Sequence, residues 1–126
     1  MRLLLDTHAL IWWMTDDPSL PALARRAIGS SDNDVVVSAA SVWEISIKAH
    51  AGGLRPPSAD VEGDLRASHF RLLSISPDHA WLAGSLPQHH RDPFDRMLIA
   101  QARVEGLTIV TRDRRFEPYG VPLLAA

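Results

Sequence analysis

Asp6, Glu44, Asp95 and Asp113 stand in four separate segments of this 126-residue chain, each at or near the edge of an apparent structural element. Asp6 ends the run Leu3-Leu4-Leu5, and Glu44 lies within Ser41-Val42-Trp43-Glu44-Ile45-Ser46. Asp95 lies within Asp92-Pro93-Phe94-Asp95-Arg96-Met97-Leu98-Ile99-Ala100, and Asp113 ends Ile109-Val110-Thr111-Arg112-Asp113. Brought together, carboxylates this crowded repel one another and call for a hard cation with oxygen ligands. The chemistry of such a set is metal-dependent phosphoryl transfer, with a nuclease as its foremost form.

Each residue also has a quieter explanation. Asp6 or Thr7 can cap the helix that begins near His8, a role compatible with metal ligation. Glu44 has Lys48 four residues on, the favourable order for a surface ion pair. Its local face also carries Ala40, Ser41 and Ile47, so the residues alone leave Glu44 open between the two roles. Asp95 sits above Ile99 and Ala102 on one helical stripe. Charge at a helix start accounts for an Asp there but not for its inward side. Asp92 reads as the cap of that helix first and an accessory acidic group second. Asp113 could be a turn residue paired with Arg112 and Arg114.

The elements that must position these groups follow from short apolar runs and their stops. Strands are expected at residues 2–6, 35–37, 72–75, 107–111 and 121–124. Helices are expected from His8 to Met14, Leu20 to Ile28, and Ser38 (its cap) to Ala51. Further helices should run from a Ser58 cap to Phe70, from Ser76-Pro77 to Leu86, and from Asp92-Pro93 to Glu105, where Gly106 closes the last. One helical turn is expected from Asp113 to Phe116. The strands read as continuous rather than alternating apolar runs, which indicates coverage on both faces and a parallel sheet. Ligands of such sheets bind beyond the carboxyl ends of strands, where Asp6 and Asp113 fall.

Composition fits one domain over residues 1–126, with 46% hydrophobic and 22% charged residues and no cysteine. The absence of cysteine excludes disulfides, thiolate metal sites and a cysteine nucleophile. No apolar run is long enough to span a bilayer and no signal-peptide pattern opens the chain, so a cytoplasmic protein without membrane association is expected. The net charge of −2 supplies no global attraction for nucleic acid, so a polyanionic substrate would need bound metal and local cations. No Gly-rich phosphate loop, Gly-x-Ser-x-Gly elbow or zinc-type histidine spacing is present. The Asp-Thr start is shared with haloacid-dehalogenase-type phosphatases, but their second Asp would fall on His8.

Taken with their surroundings, these residues resemble a PIN domain, specifically a VapC-type toxin of a bacterial toxin–antitoxin pair. The resemblance rests on Leu4-Leu5-Asp6-Thr7-His8, on Ser38-Ala39-Ala40-Ser41-Val42-Trp43-Glu44-Ile45, on Asp92-Pro93-Phe94-Asp95-Arg96-Met97-Leu98-Ile99-Ala100-Gln101-Ala102, and on Val110-Thr111-Arg112-Asp113. It implies an α/β fold, a three-layer α/β/α sandwich with a central, mostly parallel sheet. It also implies Mg²⁺- or Mn²⁺-dependent cleavage of RNA, with Asp6, Glu44, Asp95 and Asp113 as the catalytic and metal-binding set and Thr111 assisting. A homodimer and a cognate antitoxin are implied as partners, with Trp12, Trp13, Trp43 and Trp81 as interface candidates against a core role for at least two. Arg91, Arg96, Arg112, Lys48 and the loop histidines His89 and His90 are expected to contact the RNA backbone. Two other readings stay open: a small metal-dependent phosphatase, and a non-catalytic module whose acidic pocket docks a basic peptide.

Overall fold

The computed structural model describes all residues from Met1 to Ala126. The chain runs β1 (Arg2–Leu5), α1 (Thr7–Met14), α2 (Ala22–Gly29), β2 (Asp34–Ser38), α3 (Ala39–His50), α4 (Val61–Ala67), β3 (Arg71–Leu73), α5 (Pro77–Ser85), α6 (Pro93–Glu105), β4 (Thr108–Thr111), a 3-10 helix (Arg114–Tyr119) and β5 (Leu123–Ala125). The strands form one sheet in the order β3-β2-β1-β4-β5, and every pairing is parallel. No helix is long and apolar enough to cross a membrane.

Side chains alternate along a strand, so each continuous apolar run feeds two cores. Leu3, Leu5, Val35, Val37 and Val110 join Leu10 of α1, Ile28 of α2, Ile45 of α3 and Leu65 of α4 on one face. Leu4, Val36 and Ile109 join Leu98, Ile99 and Ala102 of α6 and Phe116 and Tyr119 of the 3-10 helix on the other. The expected sandwich is therefore present, with both faces covered. Register places Leu4 beside Ile109 and Leu5 beside Val110, so the carboxyl ends of β1 and β4 lie side by side. The strand order reverses between these two strands, which opens the crevice in which such sheets carry their sites.

Helix α4 differs from its expected start. Ser58 does not cap it; the Ser58 hydroxyl instead accepts the Asp60 N–H at 2.9 Å in a local turn. Asp60 is the cap, accepting the Gly63 N–H at 3.1 Å, and a Cβ at Gly63 would fall 2.2 Å from Asp60 Oδ2. Glycine lets the capping carboxylate approach. The helix then ends at Ala67 rather than Phe70, with His69 in the left-handed region at φ 61°.

Arg96 corrects a second expectation. Its guanidinium is buried and turned inward, donating to the backbone carbonyls of Ala83, Gly84, Leu86, Pro87 and His90. Several of these are the orphan carbonyls at the carboxyl end of α5, where the helix dipole favours a cation. Arg96 therefore anchors the segment between α5 and α6 and is not a surface contact for a polyanion. Arg96→Met should lower stability by about 3 kcal/mol, since several buried carbonyls lose their donor at once. Arg96→Lys, whose donors all sit on one nitrogen and cannot span the same carbonyls, should recover only part. Urea denaturation checks this, and an unchanged midpoint for Arg96→Met would remove the anchoring role.

Candidate active site

The four expected carboxylates converge at the carboxyl ends of β1 and β4. Asp6 caps α1, its Oδ1 accepting the Ala9 N–H at 2.8 Å, while the residue stays buried. Burial pushes its carboxyl up from the ordinary range, the Thr111 hydroxyl and the Ala9 N–H oppose that, and Asp113 adds a like charge. Thr111 Oγ1 also accepts the Asp113 N–H at 3.0 Å, so one hydroxyl organises two of the acids.

Glu44 makes the ion pair open to it and is at the same time turned into the cluster. The ion pair to Lys48 exists, with Nζ 2.7 Å from Oε2, yet Glu44 itself is buried. Thr7 donates its hydroxyl to Oε1 at 2.7 Å, which ties α3 to the start of α1. Lys48 is spoken for by this contact, and its ammonium is held above the usual lysine range mainly by that bond.

Asp92 caps α6 by accepting the N–H groups of Phe94 and Asp95 at 2.8 and 3.1 Å. This fixes Asp95 in the first turn, on the side facing the cluster. Burial, then the charges of Asp92, Asp6, Glu44 and Asp113, push the Asp95 carboxyl up to about 8. Asp113 is displaced the other way. Arg115 clasps both of its oxygens at 2.7 to 3.1 Å and holds its carboxyl below the usual range. The cluster thus sets Asp6 and Asp95, whose burial opposes ionisation, beside Asp113, whose arginine favours it. Unequal partners of this kind mark functional sites more often than structural ones.

His90, expected as a surface contact for the RNA backbone, is instead turned towards the acids. It is buried, with Nε2 lying 2.8 Å from Asp95 Oδ2 and 3.3 Å from Asp113 Oδ2. Its type and its place two residues before a capping Asp give no signal of this; only the path of the loop brings it inward. The nearest ring nitrogen and carboxylate oxygens of His90, Asp95 and Asp113 all lie within 4.8 Å of one another. Asp6, His8, Trp12, Arg112 and Asp113 line an adjoining cleft of about 290 Å³. Arg112 lies over the Trp12 ring at 4.4 Å and donates to the Ala126 and Ser19 carbonyls, so its position beside the acids is braced. Arg91 is exposed.

An all-parallel sheet carrying an acidic cluster at its strand-order reversal defines the class, and the comparisons agree. A family profile for the PIN domain matches residues 3–121. Ribonuclease VapC22 of Mycobacterium tuberculosis is 33% identical over 122 residues, spanning 94% of this chain and 92% of that protein. The chain belongs to the PIN-domain family, in its VapC group. Among solved structures, VapBC2 from Rickettsia felis, bound to a DNA fragment from its promoter, matches with a TM-score of 0.72 at 16% identity, covering 99% of this chain and 98% of that one. VapC20 of Mycobacterium tuberculosis, a sarcin–ricin-loop-cleaving toxin, matches with a TM-score of 0.69 at 16% identity, over 94% and 95% of the two chains. At these identities the two structures establish the shared fold.

The raised Asp95 carboxyl has a consequence for stability without metal. Below about pH 4 it is protonated in both folded and unfolded chains, and its burial carries no charge penalty. As pH rises towards about 8 the unfolded chain releases its proton first, so this contribution to stability is lost across that window. Asp95→Asn stays neutral throughout. In EDTA its melting temperature should exceed that of the parent by at least about 5 °C at pH 8, and the gap should close near pH 4. A gap of equal size at both pH values would contradict the assignment.

Proposed function

We propose that this protein is a metal-dependent endoribonuclease toxin, held in check by a cognate antitoxin. The observation that carries the reading is the convergence of Asp6, Glu44, Asp95 and Asp113 beside a cleft flanked by an aromatic ring and a guanidinium. The relative VapC22, named as a ribonuclease, supports the same activity for this chain.

The donor set suits Mg²⁺ or Mn²⁺: carboxylate oxygens in a partly solvated pocket whose mutual repulsion a divalent cation would relieve. Asp6, Glu44, Asp95 and Asp113 would hold it. When bound, such a cation supplies charge neutralisation at the phosphodiester and lowers the pKa of water. The protein's own groups do the rest. Thr7 and Lys48 orient Glu44, Thr111 orients Asp6, and the Asp92 cap sets the direction of Asp95. Trp12 and His8, with ring centroids 5.9 Å apart, give the cleft an aromatic wall against which an unstacked base can lie. Arg112 and Arg91 provide cations for the RNA backbone.

Trp43 and Trp81 are 60% and 83% exposed, whereas Trp12 and Trp13 pack against the core. Trp43 stands edge-on to Phe94 and lies near exposed Ile47, an apolar surface suited to the antitoxin or to a second copy of the chain. The decisive experiment maps RNA ends after expression of the parent and of Asp6→Asn. Purified parent protein should cut RNA with Mg²⁺ or Mn²⁺ and lose activity in EDTA. Asp6→Asn should lose at least about 100-fold while keeping its fold by circular dichroism. Full metal-dependent activity in folded Asp6→Asn would sink the assignment.

A further inference from the structure

His90 is fully enclosed yet pointed at the acids, and nothing in the cluster's chemistry as described so far uses it. Its ring lies edge-on to Phe116 with centroids 5.6 Å apart, which fixes the ring plane. Its backbone N–H donates to Tyr119 Oη at 2.8 Å, and that hydroxyl donates onward to the Pro87 carbonyl at 2.6 Å. The His90 carbonyl accepts from Arg96. The loop that carries it is therefore held on both sides.

The two ring nitrogens have different surroundings. Nδ1 accepts the Asp92 N–H at 3.3 Å, so the ring proton belongs on Nε2. Nε2 has no accessible surface and no well-aligned partner, and it sits between Asp95 Oδ2 and Asp113 Oδ2. A protonated Nε2 has no lone pair to offer a metal, and it faces the carboxylates from their enclosed side. Two carboxylates that share a divalent cation must lie closer together than their mutual repulsion favours.

We propose that His90 is a positioning residue of the acidic cluster: its Nε2–H, set between Asp95 Oδ2 and Asp113 Oδ2 without a linear bond to either, places partial positive charge between the two carboxylates and draws them together as ligands for a divalent cation. Arg115 clasps Asp113 alone and from an exposed position, whereas His90 bridges two acids supplied by α6 and by the end of β4. Such outer groups set ligand direction, and their removal costs about 10- to 100-fold in metal affinity. The inference rests on reading the cluster as a divalent-cation site.

The test uses Mn²⁺ and the whole protein. In the metal-free parent, long-range 15N–1H correlation should place the imidazole proton of His90 on Nε2. Pulsed electron paramagnetic resonance of the Mn²⁺-loaded parent should show no directly coordinated nitrogen. By calorimetry, His90→Leu should bind Mn²⁺ about 10- to 100-fold more weakly, and His90→Gln, which keeps an N–H near the Nε2 position, should recover most of that loss. A role in packing alone would not be rescued by an amide. A proton on Nδ1, a first-sphere nitrogen, or a folded His90→Leu with parental Mn²⁺ affinity would each overturn the proposal. Should His90→Leu not fold, the two measurements on the parent and the His90→Gln affinity still decide it. Failure of the parent to bind Mn²⁺ at all would overturn the cation site itself, and the positioning role with it.

Discussion

Asp95 is partly withdrawn from water while Asp92, Asp6, Glu44 and Asp113 all raise the cost of ionising it. Burial weakens the hydration that would otherwise screen those charges, so the repulsion is felt at close range. Much of the neighbouring architecture answers that repulsion. Thr7 and Lys48 serve Glu44, Thr111 and the Ala9 N–H serve Asp6, and Arg115 serves Asp113. Asp95 receives the least: it lies beside His90 Nε2, and its carboxyl is pushed up to about 8. A divalent cation would relieve the imbalance, in line with the proposed chemistry.

Holding such a cluster requires a frame that does not yield. Leu3, Leu4 and Leu5 are fully buried immediately before Asp6, and Ile109 and Val110 immediately before Thr111. Each buried aliphatic side chain contributes roughly 2 kcal/mol. A handful of them offsets the cost of one poorly ionised carboxyl. The residues that supply the stability and those that spend it are neighbours in the chain, so strand ends cannot splay without exposing the core. The same parallel pairing that buries β1 and β4 also places their carboxyl ends together.

The segment between α5 and α6 is held by another means. It has no strand to join, and its carbonyls would be left unpaired at the end of α5. Arg96 reaches back from α6 to satisfy them, while Tyr119 Oη binds both the His90 N–H and the Pro87 carbonyl. One charged fork and one hydroxyl thereby fix a loop that carries His90 to the acids. A polar side chain here shapes the site without facing the cleft.

Much of this was legible in the chain itself. Apolar runs of strand length, proline after a capping Ser76 or Asp92, and Gly106 in the left-handed region are local signals, and the elements they announce are present. Asp6, Asp95 and Asp113 could be placed at element ends for the same reason, because capping and strand length are decided by near neighbours. Glu44 could not be decided, since an i,i+4 lysine and an inward carboxylate are both true of it, and only the packing of α3 on α1 buries it. Arg96 and His90 were read as surface contacts for a polyanion and lie enclosed, because their partners are carbonyls and carboxylates brought in from other elements. Ser58 lost its helix to Asp60, whose carboxylate reaches the Gly63 N–H. The sequence by itself determined which short segments become strands and helices and which acids stand at their ends. Tertiary structure decided which charges share a pocket and which side chains hold them there, since electrostatic and hydrogen-bond partners are chosen by distance in space.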